Sequence, residues 1–198
     1  MIAQRTRRGA GNWAVVSSAA LTVLQSATTS AFAVDYVSVD VDNVLGRDGA
    51  GDSTAQYIRA GKEIGGIQYG LQGRTATMKD NSGILSSVEV TAANNKLNVA
   101  GVTPFVGVGH DFGGSTLGSD YTYGLVGATA GAKIGPGFAL AGVKTRVGSD
   151  EATRTKQTVT FASYSIPVAK NVAVNVGMSH SAQDIKEHGF SAGLTFGF

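Results

Sequence analysis

The chain has 198 residues, with 28 glycines, three prolines, no cysteine, and 16 lysines and arginines against 14 acidic residues. Lack of cysteine excludes disulfides and thiolate metal ligands. Arg5, Arg7 and Arg8 account for the positive balance; the 13 basic and 14 acidic residues after position 33 sum to −1, which excludes a basic nucleic-acid surface.

Residues 1–33 join that basic start to an apolar stretch from Trp13 to Leu24 and close on Ala31-Phe32-Ala33. This is the three-part order of a secretory signal peptide, with Ala31 and Ala33 as the small residues read at the cleavage site. The apolar stretch, broken by Ser17, Ser18 and Thr22, is shorter than the roughly 20 residues a membrane helix needs. Gly9 and Ala10 follow Arg7-Arg8 where a twin-arginine signal carries bulky apolar residues, so export by the general secretion route is expected.

From Val34 onward, alternating segments are separated by Gly, Asp, Asn and Ser clusters, which predicts an all-β domain over 34–198. The strands fall near 35–45, 54–64, 67–78, 84–100, 103–112, 120–134, 138–148, 156–166, 171–180 and 187–198. Short links at 65–66, 100–101, 135–137 and 167–170 alternate with longer polar ones at 46–53, 79–83, 113–119, 148–155 and 181–186. Short turns at one end, longer loops at the other and an even strand number predict a transmembrane antiparallel up-and-down β-barrel of ten strands, or alternatively eight. Within 84–100, Val88, Val90 and Ala92 share one parity, and Leu97 and Val99 the other. A bulge at Asn94-Asn95 in a single strand accounts for that flip.

Strand side chains alternate between faces. Val37, Val39, Val41, Ile67, Tyr69, Leu71, Val106, Val108, Phe112, Val172, Val174, Val176 and Met178 are the expected outward set. Lys144 and Arg146 would each cost roughly 2–4 kcal/mol facing lipid at the midplane, so they are expected inside, as is Arg59 with Tyr57 and Glu63. The interior then holds Asp40, Asp42, Glu63 and Glu89 with Arg59, Arg74, Lys144 and Arg146, four of each sign. That balance predicts charge pairing in the lumen rather than a single-sign filter. Tyr121 and Tyr123 fit either face.

The last nine residues place Phe190, Ala192, Leu194, Phe196 and Phe198 on one side, and Ser191, Gly193, Thr195 and Gly197 on the other. This strand, with Phe190, Leu194, Phe196 and the terminal Phe198, resembles the carboxyl-terminal assembly signal of Gram-negative outer-membrane β-barrel proteins. The resemblance implies residence in the outer membrane, amid its lipid and lipopolysaccharide, after handling by periplasmic chaperones and the barrel-assembly machinery. Val102-Thr103-Pro104-Phe105-Val106-Gly107-Val108-Gly109 resembles a strand common in small opacity-type and adhesin-type barrels, which implies a function carried by the outer loops.

His110, His180 and His188 share the outward parity near the loop ends of their strands. Catalysis at His180 would need a nucleophile within hydrogen-bond reach, but Met178 and Ala182 occupy the same-face positions two residues away. A metal site of His180, Asp184, Glu187 and His188 is conceivable on ligand chemistry; solvation at the headgroup boundary explains these groups equally well. The expected protein is therefore not an enzyme and carries no cofactor or metal. Its expected role is structural or surface-interacting, with a narrow porin-like diffusion channel as the alternative and a lipid A-modifying surface enzyme as the least favoured reading.

Overall fold

The computed structural model describes residues 34–46, 52–78, 84–112, 120–148, 157–183 and 187–198. The predicted signal peptide with Ala31 and Ala33, and most residues of the predicted outer loops, lie outside the described residues.

Ten strands follow one another: β1 Tyr36–Gly46, β2 Ser53–Ile64, β3 Ile67–Met78, β4 Ile84–Asn94, β5 Val102–Phe112, β6 Tyr121–Ile134, β7 Gly137–Gly148, β8 Gln157–Ala169, β9 Val172–Gln183 and β10 Glu187–Gly197. Each pairs antiparallel with its neighbours in sequence, and β1 pairs with β10 from Tyr36↔Gly197 to Gly46↔Glu187, closing the barrel. Closure leaves no sheet edge, so every strand finds hydrogen-bond partners on both sides. Both ends of the domain lie at the short-turn end, where Phe198 N donates to Asp35 O at 3.0 Å and Asp35 N donates to Gly61 O at 2.8 Å. Ten strands, not eight, is the observed number.

Two local features depart from the sequence reading. The predicted bulged strand 84–100 ends at Asn94 instead, and Asn95–Leu97 form a turn of 3-10 helix. Asn94 causes the break, since its side-chain Oδ1 accepts from Lys96 N at 2.9 Å and competes with the ladder for that backbone donor. Parity then restarts, and Val99 bridges Val102 around Ala100-Gly101. In the other case, β8 runs on to Ala169, past the predicted end at residue 166, and the pairing register shifts between Pro167 and Ala169. Proline has no amide to donate, so the ladder slips where it sits.

Ala100 and Gly101 both have positive φ, 52° and 84°, as a two-residue type I′ hairpin turn requires. Alanine is strained in this region where asparagine is not, so Ala100→Asn is expected to stabilise the barrel by about 1 kcal/mol. Urea unfolding of the refolded protein would register the gain; no change in midpoint would mean the turn relaxes without cost.

Burial is inverted relative to a water-soluble protein. Glu89 is 3% exposed and Asp40 5%, whereas Val106 and Val108 are each 58% exposed and Met178 60%. Lipid-like surroundings outside and a polar interior satisfy both faces.

Candidate functional site in the barrel lumen

Each strand sends alternate side chains inward, and register decides which of them meet. In mid-β4, Glu89 lies opposite Gln72 of β3 and Gly109 of β5. Gly109 in turn lies opposite Tyr123 of β6. Because Gly109 has no side chain, the Tyr123 ring occupies the space above it, and its hydroxyl reaches over β5 to donate to Glu89 Oε1 at 3.0 Å. Lys144 of β7 donates to Glu89 Oε2 at 2.9 Å, Arg146 pairs with the same carboxylate, and Gln72 Nε2 donates at 3.3 Å. One buried carboxylate thus joins β3, β4, β6 and β7.

The network continues along the wall in both directions. Arg59 of β2 donates Nε to Gln72 Oε1 at 2.8 Å and pairs with Asp40 of β1, whose carboxylate also accepts from Ser38 Oγ at 3.1 Å. On the other side Arg146 donates to Gln157 Oε1 of β8 at 3.1 Å, and Gln157 Nε2 donates to Ser181 Oγ of β9 at 3.1 Å. Arg59 lies 4.6 Å from the centre of the Tyr57 ring and Arg146 lies 5.2 Å from that of Tyr123. Charge-assisted bonds and cation–π contacts of this kind satisfy charges removed from water.

Asp40, Arg59, Glu89, Lys144 and Arg146 are therefore brought together. Arg74 is set slightly apart, its guanidinium 5.9 Å from the Tyr57 ring centre and its buried Nε without a hydrogen-bond partner. Asp42 Oδ1 and Arg146 Nε are likewise buried and unpartnered. Glu63 does not join the cluster; it is exposed at the short-turn end and accepts from Asn95 Nδ2 at 3.1 Å. Tyr123, left open by the sequence, is a lumen residue, as is Tyr121 beside it at 5.6 Å between ring centres.

Gln72, which the sequence places in the lumen with Arg74, and Gln157, which sequence reasoning passed over, turn out to be the links between charged groups. The facing of Gln157 stayed open because β8 has no charged side chain to fix it. Three more inner aromatics overlie glycines directly opposite them, Tyr36 on Gly61, Phe105 on Gly127 and Phe161 on Gly142. Their rings lie along the wall instead of across the lumen.

Outside, toward the loop end, every strand contributes a polar side chain to a collar, Asn43, Thr54, Thr75, Ser86, His110, Thr122, Thr145, Thr158, His180 and His188 in chain order, with the exposed apolar Leu45, Ile84, Phe112 and Val147 beyond it on β1, β4, β5 and β7. Several pair across strands, as His110 Nδ1 with Thr122 Oγ1 at 2.9 Å and Thr145 with Thr158 at 3.1 Å. His180 and His188 stack with ring centres 4.6 Å apart. The nearest hydroxyl in their row, Thr160 Oγ1, donates to the backbone oxygen of His180 at 3.3 Å. Of the conceivable metal set, Asp184 lies outside the described residues and Glu187 falls on the face opposite His188. Among the described residues no three His, Asp or Glu side chains form a metal-sized cluster.

No curated protein matches the chain in sequence. One family model matches, Major capsid protein Gp23, over residues 1–51; so short a match assigns no family. Among solved structures, the barrel is similar to Neisserial surface protein A, with a TM-score of 0.43 and 15% identity over 82% of this chain and 96% of that one. It is similar to the KdgM porin in complex with disordered oligogalacturonate, with a TM-score of 0.46 and 8% identity over 81% and 99%. It is also similar to the translocator domain of the autotransporter NalP from Neisseria meningitidis, with a TM-score of 0.45 and 11% identity over 94% and 96%. With a closed ten-strand meander, an apolar exterior and a polar interior, the chain is a small β-barrel of the outer-membrane type.

Proposed function

We propose that this protein is an integral outer-membrane barrel of a Gram-negative envelope, non-enzymatic, with a structural or surface-interaction role carried by its outer loops. The observation that supports it is the Glu89 network, which braces the inner wall from β1 to β9 and commits Asp40, Arg59, Glu89, Lys144 and Arg146 to partners within the wall. Its surroundings are outer-membrane lipid and lipopolysaccharide. Export by the general secretion route, followed by periplasmic chaperones and the barrel-assembly machinery, delivers it.

A second reading, a narrow diffusion channel for small solutes, draws on the uneven wall. Gly177, Ser179, Gly189, Ser191 and Gly193 of β9 and β10 take little room, and the unpartnered Asp42 Oδ1 and Arg74 Nε face the same interior. Buried polar atoms of this kind call for water.

Planar-bilayer conductance of the refolded barrel, checked first for heat-modifiable migration, separates the two. The expected result is silence. Reproducible ion-selective steps, shifted by Arg74→Gln, would replace the structural reading with the channel.

A further inference from the structure

The exterior of β8, β9 and β10 carries two rows of three side chains, fixed by register. Thr160, His180 and His188 lie side by side in one row, and Ala162, Met178 and Phe190 lie side by side two residues nearer the turn end. These six line one shallow groove. Its lower part is apolar, with Met178, 60% exposed, in the middle of the row, Phe190, 56% exposed, on its β10 side and the shorter Ala162 on its β8 side. Its upper end is the stacked imidazole pair. Asn43 of β1, opposite Phe190 in the register, adds an exposed amide at the rim.

Three chemistries thus follow one another within a few residues along the strands. The apolar groove suits an acyl chain, and imidazole donors suit a phosphate. The neighbouring amide and hydroxyl groups of Asn43 and Thr160 suit a saccharide. A hydrocarbon chain in lipid gains little from an apolar surface alone, so selectivity has to come from the polar end.

We propose that this groove is a binding site for one phosphorylated, acylated saccharide lipid of the outer leaflet. The acyl chain lies along the row from Phe190 past Met178 to Ala162, the phosphate meets His180 and His188, and the sugar meets Asn43. The site rests on the outer-membrane reading, because it places the loop end of the barrel in the leaflet that holds such lipids.

Membrane fractionation comes first: a chain absent from the outer membrane defeats the reading and the site together. Native mass spectrometry of the folded, full-length mature barrel in detergent then tests the site alone, with diphosphoryl lipid A, monophosphoryl lipid A and dioleoyl phosphatidylglycerol as probes. The expected result is retention of diphosphoryl lipid A over both others. That retention should fall about tenfold or more in the double variant His180→Ala with His188→Ala, and in Ala162→Phe, which fills the groove. His110→Ala, on the opposite part of the collar, should behave as the unmodified protein. All four positions touched face outward, and heat-modifiable migration certifies each variant as folded. Equal retention of the three lipids, or of diphosphoryl lipid A by all folded variants, would overturn the site while leaving the barrel assignment in place.

Discussion

Glu89→Ala is expected to destabilise the barrel by about 3–5 kcal/mol, the cost of leaving buried charges without their partner. Lys144 and Arg146 have side chains only 17% and 14% exposed, and both depend on this carboxylate, which also takes the Tyr123 hydroxyl. Glu89→Gln keeps a hydrogen-bond acceptor for Lys144 and Tyr123 but removes the charge, and should fall between the two. The measurement is the urea midpoint of refolded protein in detergent, followed by the heat-modifiable band. The double variant Glu89→Ala with Lys144→Ala should lose less than the sum of its singles, since the second change removes a charge the first has orphaned. A loss below about 1 kcal/mol for Glu89→Ala would class the network with ordinary surface ion pairs and withdraw its bracing role.

Phe198→Asp should act before stability is ever tested, on assembly. Phe198 lies at the end of the strand that closes the barrel, 55% exposed on the outward face, with its amide bonded to Asp35 beside β1. An aspartate there puts a charge on the apolar exterior and alters the terminal aromatic of the proposed assembly signal. Most of the mature chain should then remain as unfolded precursor or be degraded, with little heat-modifiable barrel in outer-membrane fractions. Wild-type levels in that fraction would remove the terminal-signal reading. Refolding the same variant in detergent distinguishes failed delivery from failed folding: a normal barrel in vitro with none in cells locates the defect in recognition.

The strands were legible because each is half-lipid, half-lumen, and a period of two survives in any register. Lys144 and Arg146 read as inward on charge alone, since lipid exposure is costly for them on any barrel. What stayed hidden depends on pairing between strands. Tyr123 could be assigned to the lumen only once Gly109 was seen opposite it, because the missing side chain on β5 is what admits the ring. The central position of Glu89 was hidden for the same reason: Lys144 comes from three strands away, and only closure brings it near. The turn at Asn94 was misread as a bulge because both reverse the parity of the residues that follow; a side-chain bond to Lys96 decides between them, and strand alternation does not report it.

The polar collar outside the barrel also fixes how much bilayer β9 and β10 can match. From Phe190 to Phe198 the outward apolar rows of β10 rise about 20 Å, and from Val172 to Met178 those of β9 rise about 15 Å, for strands advancing about 3.3 Å per residue at a tilt near 40°. A typical outer-membrane barrel presents a band of about 25 Å. β9 and β10 are short, whereas β5 carries exposed apolar side chains from Val102 to Phe112, so the bilayer must either pucker inward beside β9 and β10 or draw His180 and His188 into hydrocarbon, at a fraction of a kcal/mol for each ångström of mismatch. The thinnest lipid around this barrel is thereby set beside its stacked histidines rather than spread evenly around the wall.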